Sequence, residues 1–107
     1  MFRRMNGIAF LQHWYASHCN GDWEHAFGVS ISTIDNPGWR VEINLENTEL
    51  SGVPLPEYRV EYSETDWVMC WIRHGRFQGA GDPSKLEAIL GQFQAFASLS
   101  TSPGEVT

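Results

Sequence analysis

The sequence is poor in cysteine, in basic residues and in long apolar runs, and each shortage excludes a class of protein. Two cysteines in 107 residues, Cys19 and Cys70, are too few and too far apart for the disulfide framework of a small secreted domain, so a reducing cytoplasm is the expected compartment. No stretch approaches the ~18 apolar residues of a membrane span, and Arg3-Arg4 are followed by no apolar export segment, so neither membrane embedding nor secretion is expected. Only 7 Lys and Arg stand against 13 Asp and Glu, a net charge of -6. Such a surface repels phosphate backbones, which argues against nucleic acid as a partner.

What is present is core-forming material. Hydrophobic side chains make up 42% and charged ones only 19%, the opposite of the balance that keeps a chain disordered. The length allows one core, hence a single domain over residues 1–107, with its ordered part at about 5–98 and a small polar tail at 99–107 expected to fray. The charge is unevenly placed. Residues 42–66 hold seven acids (Glu42, Glu46, Glu49, Glu57, Glu61, Glu64 and Asp66) against the one base Arg59, which accounts for the whole net charge. This segment is either an electrostatic interface for a basic protein or a solvated face.

Periodicity assigns the elements. Ile8, Leu11, Trp14 and Tyr15 line one side of a helix over residues 5–19, closed by Asn20-Gly21. Phe27, Val29, Ile31 and Thr33 alternate with small or polar residues, as do Trp39, Val41, Ile43 and Leu45 beyond the turn Asp35-Asn36-Pro37-Gly38, which predicts a hairpin with a type II turn. Residues 46–57, with two prolines, read as a loop. Tyr58, Val60 and Tyr62 mark a third strand. The continuously apolar run from Trp67 to Ile72 marks a fourth, central or covered on both faces, and Arg76 to Gln78 a short fifth. Leu86, Ile89, Leu90, Phe93, Phe96 and Ala97 form a helical stripe, opened by Asp82 as N-cap with Pro83 following, or by a Ser84/Glu87 capping box. The expected fold is therefore α+β: helix, an antiparallel meander of four or five strands, helix, with both helices covering one face of the sheet.

Reactive side chains concentrate in His18-Cys19-Asn20-Gly21-Asp22-Trp23-Glu24-His25. Their spacing matches no zinc pattern, and no nucleophile motif surrounds Cys19, so neither metal, cofactor nor catalytic residue is expected. Gly79-Ala80-Gly81 before a helix suggests a phosphate loop, but the third glycine is Ser84 and Asp82 puts negative charge where phosphate would sit; a tight turn explains the glycines better. Of five tryptophans, most are expected to pack in the core; Trp23 in a polar loop and Trp39 after a turn are the candidates for partial exposure, with core packing still the favoured reading for both.

Taken together, Leu11-Gln12-His13-Trp14-Tyr15, Gly21-Asp22-Trp23-Glu24-His25, Gly28, Asp35-Asn36-Pro37-Gly38-Trp39 and Phe77-Gln78-Gly79-Ala80-Gly81 closely resemble, in order and spacing over about residues 8–97, the immunity protein 53 family of bacterial polymorphic toxin systems. The resemblance implies a cytosolic antidote that binds and blocks a toxin in the cell that makes it. Expected partner contacts are Asp22, Trp23, Glu24, His25, Asp35, Asn36, Trp39, Glu61 and Asp66, with the acidic segment steering a basic, nuclease-like toxin domain, and with the chain a monomer or weak homodimer. The alternative is a small metal- or thiol-dependent enzyme, sulfurtransferase-like as some relatives are labelled, using Cys19 and His25. Such an enzyme would hold its cysteine in an anion-binding loop ending in a base, whereas Asp22 and Glu24 put acids there.

Overall fold

Alternating apolar residues on either side of the Asp35–Gly38 turn, and the apolar run after Asp66, become the strands of one sheet, and the two periodic stripes become helices. The computed structural model describes residues 6–100. They form α1 (Gly7–His18), the one-turn α2 (Trp23–Ala26), β1 (Val29–Ile34), β2 (Gly38–Asn44), β3 (Tyr58–Ser63), β4 (Asp66–Arg73), β5 (Arg76–Gly81) and α3 (Leu86–Ser100). The α+β class, the flanking helices and five antiparallel strands match the expectation. Among the described residues no helix is long and apolar enough to cross a membrane.

Strand order departs from a consecutive meander in one place. The order is β1-β2-β5-β4-β3, so β5 lies between β2 and β4 and the long connection from β2 to β3 passes two strands, β5 and β4. β5 is also longer than expected: Gly79, Ala80 and Gly81, read from sequence as a turn, pair with Val41, Arg40 and Trp39 on one side and with Cys70, Met69 and Val68 on the other. Their glycines answer to packing. A Cβ on Gly79 would stand 2.3 Å from Ile89 Cγ2 of α3, and one on Gly38 would stand 2.2 Å from the Gly81 carbonyl oxygen. Helix and neighbouring strand come too close for side chains.

Register puts Val41, Ile43, Phe77, Gly79, Val68 and Cys70 on the same face, beneath α3. With Leu45, Leu50, Ile89, Leu90 and Phe93 they form a core in which each large side chain contributes about 1.5–3 kcal/mol by leaving water. Phe93 joins the layers: its ring centroid lies 5.0 Å from Trp14 of α1, 5.2 Å from Phe77 of β5 and 6.4 Å from Phe96.

Helix ends differ from expectation in detail. α1 starts at Gly7, with the Asn6 side chain accepting the Ala9 N–H at 2.7 Å and Glu87 accepting the Gly7 N–H. Glu87 thus caps the other helix and not its own. Asp82 does not cap α3, which begins at Leu86; its carboxylate accepts the Ser84 N–H and hydroxyl and the Trp67 N–H, organising the turn that precedes the helix. The Asn36–Pro37 peptide is cis, where a type II turn has trans. Leu99 and Ser100 belong to α3, so the helix runs into the expected tail, while Met5 and residues 101–107 lie outside the described residues.

Candidate partner-binding surface

The nine expected contact residues fall into two groups at opposite ends of the sheet, about 20 Å apart at the usual rise along β2. The first group is the turn around α2. Asn20 Oδ1 accepts the N–H groups of Asp22 and Trp23 at 2.9 and 3.0 Å, and the Glu24 carboxylate accepts those of Asn20 and Gly21 at 2.9 and 2.8 Å. Its own backbone amide, then those of Asn20 and Gly21, hold the Glu24 carboxyl below its ordinary value. The Gly21–His25 motif is therefore a self-satisfied knot that ends α1 and starts α2. Asp22 and His25 stay exposed.

Trp23 is a correction. It is only 4% exposed, its Nε1–H donates to the Glu46 carbonyl at 2.9 Å, and its ring meets Trp14 edge-on at 86°. It shapes this end of the molecule from within. Beside it, Glu49 accepts from Trp14 Nε1 at 3.1 Å and pairs with His18 Nε2 at 2.7 Å. Burial raises the Glu49 carboxyl, but the His18 bond, its own backbone amide and Trp14 outweigh that and leave it below the ordinary value.

The thiol chemistry considered from sequence finds no machinery here. Cys19 is exposed, with its Sγ directed at the Tyr15 carbonyl at 3.3 Å, and both nitrogens of His18, its neighbour in sequence, already engage Glu49 and the Trp14 carbonyl. Cys70 is buried, and burial pushes its thiol up to about 12, away from a reactive thiolate. Among the described residues no group of three His, Cys, Asp or Glu is arranged to hold a metal ion.

The second group gathers where the β1–β2 turn, the β3–β4 turn and the start of α3 meet. Asn36 and Glu61 line one concavity with Arg59, Glu64, Trp67 and Met69. Trp39 is half-buried, with its Nε1–H donating to the Pro83 carbonyl at 2.9 Å. Asp66 pairs with Lys85 at 2.7 Å, and Lys85 pairs with Asp82 at the same distance. The hydrogen bonds to Asp66 and then Asp82 raise the Lys85 pKa. Asp66 is thus ion-paired and ties β4 to the turn that precedes α3, while Glu61, Glu64 and Asp35 are exposed.

Sequence reasoning missed the middle of this surface. Of the two readings of the apolar run, central or covered on both faces, the first holds, since β4 lies between β5 and β3; only Val68 and Cys70 turn toward α3, while Trp67, Met69 and Trp71 lie on the opposite face, which no described helix covers, and all three are half-buried. The Arg40 guanidinium lies 5.3 Å over the Trp71 ring and donates to Gln78 and, at 3.4 Å, to Glu42; its Nε is buried without a hydrogen-bond partner among the described residues. Four of the five described basic residues, Arg40, Arg59, Arg73 and Arg76, share this face by register. The acidic segment is correspondingly dispersed: Glu42 and Glu61 are here, Glu46 and Glu49 at the far end, Asp66 in an ion pair. The available sequence signal was the contrast between polar alternation in β2 and β3 (Arg40/Glu42, Arg59/Glu61) and the continuously apolar run Trp67–Ile72 within β4.

A family model described as immunity protein 53 matches residues 8–98. No curated protein and no solved structure matches the chain.

Proposed function

The chain belongs to the immunity protein 53 family, and on that premise we propose that it binds and neutralises a cognate toxin protein in the cytoplasm of the producing bacterial cell, covering the toxin's active site or substrate groove without making or breaking a bond. The observation that carries this reading is the row Trp67, Met69, Trp71 on a sheet face that no described helix covers. Aromatic side chains of this kind supply most of the affinity at protein interfaces, because a rigid ring buries a large area at small entropic cost. The Arg40 Nε–H adds a donor that an oxygen of the partner would satisfy.

Charge around this row is divided. Asn36, Glu61 and Glu64 border it at one end, and Arg73 with Arg76 at the β4–β5 turn border it at the other. We assign the acidic end to a basic, nuclease-like toxin surface, with Asp35 and Trp39 beside it and Asp22, Glu24 and His25 as outlying contacts. Steering of this kind acts on the association rate and fades with salt, whereas the aromatic row controls dissociation.

The test is association kinetics with the toxin encoded beside this gene. Glu61→Lys combined with Glu64→Lys is expected to slow association about tenfold at low salt and to flatten its salt dependence. An unchanged rate and salt slope rejects the steering, and no association at all with that toxin rejects the function.

A further inference from the structure

The two outermost strands of the sheet are built differently. β3 carries Arg59 and Glu61, and its register shifts between Glu61 and Ser63; charge and bulges are the usual means by which a sheet edge is kept from pairing with another chain. β1, Val29-Ser30-Ile31-Ser32-Thr33-Ile34, has no charge, no proline and no irregularity of register.

The pairing groups of β1 that face outward can be named. The Asn44 amide donates to the Gly28 carbonyl at 3.0 Å, so antiparallel alternation places the next bonded pairs at Ser30–Glu42 and Ser32–Arg40. That leaves the N–H and C=O groups of Val29, Ile31 and Thr33 directed away from the sheet. Their side chains stand on the helix side, where Leu11, Gln12, Tyr15, Phe27 and Val29 line an uncharged groove between α1 and the edge. Ile8 and Tyr15 lie on one stripe of α1, and these two with Ile31 are three of the five exposed large apolar side chains among the described residues, at 49%, 38% and 41% exposure.

We propose that β1 is a dimerisation edge, on which a second copy of this chain pairs antiparallel about a two-fold axis through Ile31. Register and charge select this occupant. About that axis Ile31 faces Ile31 of the partner subunit, Val29 faces Thr33 of the partner subunit, and Ser30 faces Ser32 of the partner subunit. Every pair is uncharged, the β-branched pairs fall on the apolar side beside the groove, and the serine hydroxyls meet on the other side. A charge at residue 31 would oppose itself, and none is there. The axis stands perpendicular to the sheet, so the joined sheet keeps both helical layers on one side and both aromatic rows free on the other.

Six-residue strands span only about 20 Å, and their pairing buries less than the ~1,200 Å² of a stable interface. The dimer is therefore weak and reversible. Each copy carries a net charge of -6, so added salt strengthens it, opposite to the salt response of charge-steered toxin binding.

Sedimentation of the full chain from micromolar to near-millimolar concentration, with hydrogen exchange at the same concentrations, tests the proposal. Expected are a concentration-dependent dimer that grows with salt and added protection at the Val29, Ile31 and Thr33 amides. Ile31→Lys and Ile31→Glu should each weaken the dimer at least ~tenfold with the fold intact, and an equal mixture of the two should restore it above either alone. Should either variant unfold, exchange on the parent chain decides. A chain that is monomeric throughout overturns the proposal, including one whose β1 amides gain protection only when the toxin is added, since the edge would then take a foreign strand. A dimer indifferent to Ile31→Lys, or a mixture that does not recover, overturns it equally.

Discussion

The two faces of the central strands are both largely apolar and do different work. Toward α3, β4 and β5 offer Val68, Cys70, Phe77 and Gly79, side chains small enough or flat enough to let the helix lie close. Away from it they offer Trp67, Met69, Trp71, Gln78 and Ala80. Gln78 and Ala80 are as buried as core residues although no described helix lies over them, so the large side chains of the sheet itself must cover them. Hydrophobicity alone does not tell a core face from a docking face. Size does better: the core face is small where a helix presses on it, and the open face carries half-buried rings that no described helix covers.

The largest effect expected from this contrast is on the core face. Phe77→Ala removes a fully buried ring in contact with Phe93 and Phe96 and should cost about 3–5 kcal/mol in urea unfolding; a cost below ~1 kcal/mol would mean the helix does not press on the sheet as described. Next comes Gly79→Ala, which puts a methyl group against Ile89 and should cost about 1–3 kcal/mol. Adding Ile89→Ala to the same chain should give less than the sum of the single losses, because the second change vacates the space the first one fills. The smallest stability effect belongs to the open face. Trp71→Ala should cost only about 1 kcal/mol in unfolding yet weaken toxin binding by about 2 kcal/mol, near thirtyfold. If Trp71→Ala unfolds the chain as Phe77→Ala does, or leaves toxin affinity untouched, the two faces are not the different surfaces proposed.

Local chemistry made much of the fold legible. The stripe from Leu86 to Ala97 is α3, and alternation around Asp35–Gly38 is the β1–β2 hairpin, because period and turn residues are local properties. The errors lie where a distant element decides. Gly79-Ala80-Gly81 looked like a turn because glycine is a poor strand former, and only the approach of Ile89 explains glycine in the middle of a sheet. Trp23 sits among polar sequence neighbours, which leaves partial exposure open beside the favoured core packing; the Trp14 ring and the Glu46 carbonyl, far along the chain, decide for burial. Of the candidate contacts, the sequence marked Asn36 and Glu61 at the rim of the open face but not Trp67 and Trp71 at its centre.

By itself, then, the order of residues determined the class of fold, the helical and extended segments, the turn at Pro37 and the total charge, since these follow from composition and from spacing between neighbours. The tertiary structure alone decided that β5 would sit between β2 and β4, that acids close in sequence would be dispersed, and that one side of β4 would meet α3 while the other met no described helix. Each of those outcomes depends on which segments pack together, and a strand's alternation states only that it has two sides.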